Sequence, residues 1–233
     1  MSARRLALAL LVAVATGSGA AAEDRPLRPS DLSYTYGVAP FAPEYEPPAP
    51  GTYELPPIHT LRDHPVLDAA GTPTTLATVI GDRLAVVSFI YGSCAEATGC
   101  PVSTAALHHL DRLLAEDPAL AREAVLVTVS FDPERDTPPR MAEMRALHAP
   151  KTDWPFLTTR DPAMLQPLLD DFDQPVTKLL REDGTWTGLY RHVLKVFLVD
   201  RRHRVRNVYS VGFLHPALVL NDLRTVRMEE TGR

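Results

Sequence analysis

Two apolar runs, Leu84–Tyr91 (LAVVSFIY) and Ala124–Phe131 (AVLVTVSF), most constrain what this chain can fold into. Each is apolar almost throughout and rich in β-branched residues, the pattern of a strand buried on both faces. Between them lies STAALHHLDRLLAED, with Ala106, Leu107, Leu110, Leu113 and Leu114 at helical spacing and Pro101 suited to the first helical position. Pro118 marks the way out of that helix. Strand, helix, strand in this order predicts a βαβ unit with a right-handed crossover.

The flanking segments complete an architecture. Thr137 or Asp136 can cap a helix from Pro138 to His148, ended by Pro150. WPFLT reads as a short strand, and Asp161-Pro162 starts a helix through Phe172. VLKVFLVD and RVRNVYSVG flank a tight turn at Arg201–His203 and predict a β-hairpin. His215-Pro216 opens a last amphipathic helix to about Arg227, and HPVLDAAGTPTTL predicts two short strands joined around Ala70-Gly71. A central βαβ followed by a hairpin and a final helix is the thioredoxin-like arrangement, an α/β sandwich with a mixed central sheet between helices.

Both cysteines of the chain fall at the end of the first buried strand, in FIYGSCAEATGCPVS. Reactive groups in such sheets gather at the carboxyl ends of the strands. Cys94 follows the strand by a Gly92-Ser93 turn. Cys100 sits at the N-cap position of the next helix, where backbone N–H groups favour a thiolate, so it is expected to be the more acidic thiol. Gly99 lets the intervening loop double back, and the pair can be bridged or can hold one ion. A plain staple is one reading, and its short loop would stabilise by only about 2–3 kcal/mol. His192 stands immediately before VLKVFLVD, the strand expected beside the one leading to Cys94. Two soft thiolates and an imidazole meeting at one sheet end fit copper, since thiolates favour Cu(I) and imidazole suits both oxidation states. Thiol–disulfide exchange by Cys94 and Cys100 is the competing reading. A peroxidase reading through Ser93 or Thr98 has no clear arrangement behind it.

The ends of the chain speak to compartment. Arg4-Arg5, the apolar run Leu6–Ala15 and the small residues up to Ala22 predict a signal peptide over residues 1–22, or an uncleaved N-terminal anchor. The run is shorter than the ~20 residues of a spanning helix. Residues 23–57, with APFAPEYEPPAPG, read as a Pro-rich extended linker or wrapping arm, and residues 58–233 as one domain. Net charge is −5 with no basic cluster, which argues against nucleic acid as a partner. Two cysteines in an exported chain point to a disulfide or a thiol site.

Three blocks, FIYGSCAEATGCP, VSFDPERDTPPRM (Val129–Met141) and RHVLKVFLVD (Arg191–Asp200), resemble the signature blocks of the SCO/SenC proteins. These are thioredoxin-fold copper-binding proteins associated with assembly of the CuA centre of cytochrome c oxidase. The resemblance runs from about Pro65 to Arg227. It implies Cys94, Cys100 and His192 as copper ligands, with Asp132 in a supporting or structural role. It also implies copper as Cu(I) or Cu(II), and delivery to oxidase subunit II or another cuproprotein. It allows a thioredoxin-like reductant as a second partner, and a periplasmic or other extracytoplasmic location, soluble or held near a membrane by the leader. Whether such a chain is an enzyme turns on whether the dithiol exchanges with a partner's disulfide. The chain differs from the family pattern in having five residues between its cysteines instead of three, Arg191 where an acidic residue often precedes the histidine, and DRRHR in place of an Asp-Pro-Asp-Gly-type turn.

Overall fold

Residues 45–94, 100–210 and 212–232 are described by the computed structural model, Cys100 and Pro101 in their backbone alone. The first part of the domain runs β1 (His59–Thr60), β2 (Pro65–Leu67), β3 (Pro73–Thr75), α1 (Leu76–Ile80), β4 (Leu84–Ile90), α2 (Cys100–Ala115), α3 (Pro118–Glu123) and β5 (Ala124–Ser130). It continues with α4 (Pro138–His148), β6 (Phe156–Leu157), α5 (Pro162–Asp171), β7 (Val176–Leu180), β8 (Trp186–His192), β9 (Val196–Val199), β10 (Arg204–Tyr209) and α6 (Pro216–Thr231). Six strands form one sheet in the order β1-β10-β9-β4-β5-β6, while β2-β3 and β7-β8 are separate two-stranded ribbons. β4, β5 and β6 run parallel and β9 runs antiparallel to β4, giving the mixed sheet of a thioredoxin-like fold.

The two doubly apolar runs occupy the centre, as their pattern requires: every residue of β4 and of β5 is buried. Alternation along β4 splits its side chains between the faces. On one face Phe89 meets Phe172 of the α5 exit and Phe197 of β9, at centroid distances of 5.1 and 5.9 Å. On the other, the Ser88 and Thr128 hydroxyls lie 3.1 Å apart and the Trp154 indole N–H donates to Thr128 Oγ1 at 2.9 Å. Two polar side chains therefore sit in the middle of the sheet with their hydrogen bonds made, and avoid the penalty of an orphaned hydroxyl.

Two expectations change. Pro118 does not simply end a helix; it starts α3, with the Asp117 carboxylate accepting from Leu120 N–H. Strand β9 covers Val196–Val199 instead of all of VLKVFLVD, because Val193 O accepts from Gln174 Nε2 and Lys195 is tied to Asp173. At the end of α5, the Asp171 carboxylate takes Arg62 N–H at 2.7 Å and His64 Nε2 at 2.8 Å, fixing the entry segment.

The last residues of the Pro-rich stretch lie along α6. Asn221 Nδ2 donates to Pro48 O, Gly51 N–H donates to Thr225 Oγ1 and Leu55 N–H to Glu229. Tyr53 donates its hydroxyl to Asp222 Oδ1 at 2.5 Å, while the buried Tyr209 hydroxyl occupies Oδ2 of the same carboxylate. Gly51 adopts a φ of +74°, and a Cβ there would come within 2.6 Å of Met228 Cε, so the strap is seated tightly. Tyr53→Phe removes the charge-assisted hydrogen bond to Asp222 and the hydroxyl's contact with Thr225. It is expected to lower stability by about 1–2 kcal/mol, measured from the denaturant midpoint at constant m. The leader expected over residues 1–22, and residues up to 44, lie outside the described residues. Among those described, no helix is long and apolar enough to cross a membrane.

Candidate metal centre

The sheet brings several chain segments to one end. Ile90 is in register with Ser130, and Ser88 lies opposite Val196. The exits of β4 and β5 therefore share an end with the approach to β9. From the β4 exit comes Cys94, half-buried against the core, its N–H bonded to Tyr91 O at 3.2 Å. Helix α2 begins at Cys100, one position earlier than its expected N-cap role implies. Residues 95–99 and the Cys100 side chain lie outside the described residues, so the loop around Gly99 and Thr98 does too.

His192 is the last residue of β8, where the sequence suggested the lead-in to the next sheet strand. β8 pairs with β7 in a ribbon apart from the main sheet, His192 opposite Val176. Its ring packs edge-on to Tyr91 at 5.7 Å and tilts over Phe131 at 5.1 Å, with Nδ1 3.4 Å from Tyr190 O. Tyr91 is thus the shared neighbour: its ring touches His192 and its carbonyl holds the Cys94 turn. Cys94 and His192 each contact Tyr91, one at its carbonyl and the other at its ring. Among the described residues, no group of three or more His, Cys, Asp or Glu side chains gathers as a metal set.

The loop after β5, FDPERD, ties these two segments to each other. Asp132 is fully buried and pairs with Arg135, and its Oδ1 accepts from the Tyr190 hydroxyl at 3.0 Å. Burial and the neighbouring Asp132 charge push the Tyr190 phenol well above its usual range, so it remains a donor. Arg135 donates to Gly188 O at 2.9 Å and lies 4.3 Å over the Trp186 ring, clamping β8 from beside. Asp132 therefore touches the strand of His192 through Tyr190, two residues away, and does not itself approach the imidazole through any described contact.

Asp136, expected only as an alternative helix cap, does something else. Thr137 takes the N-cap position of α4, without a side-chain cap bond. The buried Asp136 carboxylate turns back to accept from Ser130 Oγ at 2.5 Å and from Gly92 N–H at 2.8 Å. Burial raises its pKa to about 6, against the hydrogen bonds from Ser130 and Gly92 that lower it. The approach needs a glycine, since a Cβ on Gly92 would lie 2.7 Å from Asp136 Oδ1. One carboxylate thereby sets the turn that leads to Cys94.

The sequence model of the SCO1/SenC proteins matches residues 55–227. Among curated proteins no sequence match is found. Solved structures share the fold. The chain is similar to a SCO1/SenC family lipoprotein from Bacillus anthracis, at 20% identity and a TM-score of 0.62, covering 75% of this chain and 99% of that one. It is similar to copper-bound ScoI from Arabidopsis thaliana, at 16% identity and a TM-score of 0.60, covering 73% and 99%. BsSco, a member of the Sco family of cytochrome c oxidase assembly proteins in which a disulfide switch was found, aligns at 18% identity with a TM-score of 0.57, covering 75% and 98%.

Proposed function

The chain belongs to the SCO1/SenC family, and from that premise we propose that it is an exported copper-binding metallochaperone that delivers copper to a cuproprotein such as the CuA centre of cytochrome c oxidase. Cys94 and Cys100 supply the thiolates and His192 the imidazole. The observation that carries this reading is the contact of the His192 ring with Tyr91, whose carbonyl holds the Cys94 backbone. A histidine from a distant ribbon and the cysteine turn thus share Tyr91 as a neighbour, which supports this donor set. The donor set suits copper: two soft sulfurs for Cu(I), and a nitrogen that serves either oxidation state. The copper-bound Arabidopsis relative supports the same metal.

Oxidation gates such a site, since a Cys94–Cys100 disulfide would offer no thiolates. The protein is accordingly read as working outside the cytoplasm, in the periplasm or an equivalent space, with a reductant such as a thioredoxin-like partner keeping the pair open. The lipoprotein from Bacillus anthracis supports that location.

The test is metal content. Protein purified reduced and offered one equivalent of Cu(II) should retain one copper per chain and develop intense thiolate-to-copper charge-transfer bands in the visible. Prompt reduction of the metal, with one disulfide formed for every two Cu(II) reduced and no copper retained, would instead favour a thiol–disulfide oxidoreductase.

A further inference from the structure

The end of α5 places a buried amide beside the strand that carries His192. The C-cap of this helix is Phe172, and Asp173 follows in the left-handed region at φ +46°. Asp173 N–H bonds to Asp170 O at 3.1 Å and Gln174 N–H to Leu169 O at 2.9 Å, the paired bonds of a Schellman motif. Pro175 then keeps the helix from resuming. Gln174 is thereby fixed at the edge of the core, 2% exposed. Two residues on, Val176 pairs with His192 across the ribbon.

The Gln174 side chain makes one hydrogen bond: Nε2 donates at 2.9 Å to Val193 O, the carbonyl directly after His192. Its Oε1 is buried as well and has no hydrogen-bond partner among the described residues. The penalty of that unpaired oxygen offsets what the single bond contributes, so stability does not account for an amide here. A leucine would fill the place without the penalty. The effect of the amide is positional. The run VLKVFLVD is apolar enough to extend β9 back to Val193, yet β9 begins at Val196. Residues 193–195 are held out of the sheet, at one end by Gln174 and at the other by Lys195 Nζ on Asp173 Oδ2 at 3.1 Å. If they joined β9, His192 would be drawn with them, off its seat against Tyr91 and Phe131. On the other side of the imidazole, Tyr190 is tied to Asp132. His192 therefore stands between two anchored positions, 190 and 193.

We propose that Gln174 is a positioning residue of the metal centre: its amide N–H, by holding Val193 O, sets where the His192 imidazole stands. This inference rests on the metallochaperone reading, in which His192 is a copper ligand. Gln174 is not itself a ligand. It acts through the backbone next to one, as outer partners orient ligating histidines in other metal sites. Its effect falls on the oxidation state that draws on nitrogen. Cu(II) binding depends on it, and Cu(I) binding, carried by two thiolates, depends on it little.

The experiment is a double-mutant cycle on the full-length protein, with affinities for each oxidation state read by chelator competition. Wild type is compared with Gln174→Leu, His192→Ala and the double variant, each shown to fold by a thermal melt. Gln174→Leu should lower Cu(II) affinity about tenfold and Cu(I) affinity by about threefold at most. It should also change the nitrogen hyperfine splitting in the electron paramagnetic resonance spectrum of the Cu(II) protein. In the His192→Ala background the same substitution should cost no further affinity, because the imidazole it acts through is gone. Gln174→Ala repeats the cycle should leucine not fit. A merely structural amide would shift the melting temperature and leave both the Cu(II)-to-Cu(I) affinity ratio and the hyperfine splitting unchanged. That result, or a loss that adds in full to that of His192→Ala, would overturn the inference and leave the copper reading standing. A His192→Ala protein that binds Cu(II) as tightly as wild type would overturn the donor set itself, and the role of Gln174 with it.

Discussion

Replacing His192 with Ala is expected to lower Cu(II) affinity by on the order of 100-fold or more, while Cu(I) affinity falls much less. Loss of residues that merely orient a ligand commonly costs 10–100-fold in affinity, so loss of the ligand itself should exceed that. The asymmetry between oxidation states follows from the donors. Cu(I) is satisfied by two thiolates, whereas Cu(II) draws on nitrogen donors, and in the proposed site that nitrogen is His192, whose ring packs on Tyr91 and Phe131. The fold should survive, because β8 is held by Arg135 to Gly188 O and by Tyr190 to Asp132, neither of which uses the imidazole. Competition titrations with chelators for each oxidation state, beside a thermal melt, provide the check. An unchanged Cu(II) affinity in a folded variant would remove His192 from the site. Cys94→Ser should behave differently and weaken both oxidation states together.

That contrast also marks how far the sequence could be read. The central strands, the crossover and the β9–β10 hairpin were legible because doubly buried strands leave unbroken apolar runs that survive without knowledge of their neighbours. The β7–β8 ribbon was not seen. Its strands, VTKLL and WTGLYRH, are half-exposed and carry no clean alternation, and a bulge between Lys178 and Leu180 breaks their register. One signal was there: Asp183-Gly184, with Gly184 at φ +81°, is a hairpin turn pair. Missing the ribbon misplaced His192 on the lead-in to β9, although its neighbourhood with the strand leading to Cys94 was anticipated. Asp132 was anticipated as a supporting residue and does hold Tyr190. Asp136 was legible as a cap and not as the anchor of the cysteine turn, since a carboxylate that turns back onto another strand leaves no local trace.

Asp136 carries the second large expectation, and two substitutions separate its roles. Asp136→Ala leaves Ser130 Oγ and Gly92 N–H without their acceptor in a buried place, and should be less stable than Asp136→Asn, which does not titrate either, by about 2–4 kcal/mol at every pH. Asp136→Asn keeps an acceptor for both. Its effect depends on pH, because burial raises the folded-state pKa from 3.8 to about 6. A carboxyl that titrates higher folded than unfolded binds more protons in the native state between those values. Its contribution to stability is therefore complete below about pH 4 and is lost as pH rises to 6. Two units amount to about 3 kcal/mol by linkage. Stability of the wild type minus that of Asp136→Asn should accordingly fall between pH 4 and pH 6 and level off above. The difference is the right quantity, because Asp117, Asp171 and Asp200 titrate lower than usual and tilt the whole-protein curve the opposite way. A difference that stays flat across this range would mean that the carboxylate is solvated, and an Asp136→Ala variant as stable as Asp136→Asn would mean that it does not hold the Gly92 turn. If it does hold the turn, Asp136→Ala should also weaken copper binding by about 10–100-fold, while Asp136→Asn keeps it. The carboxylate then belongs to the metal centre through geometry alone, two residues short of Cys94.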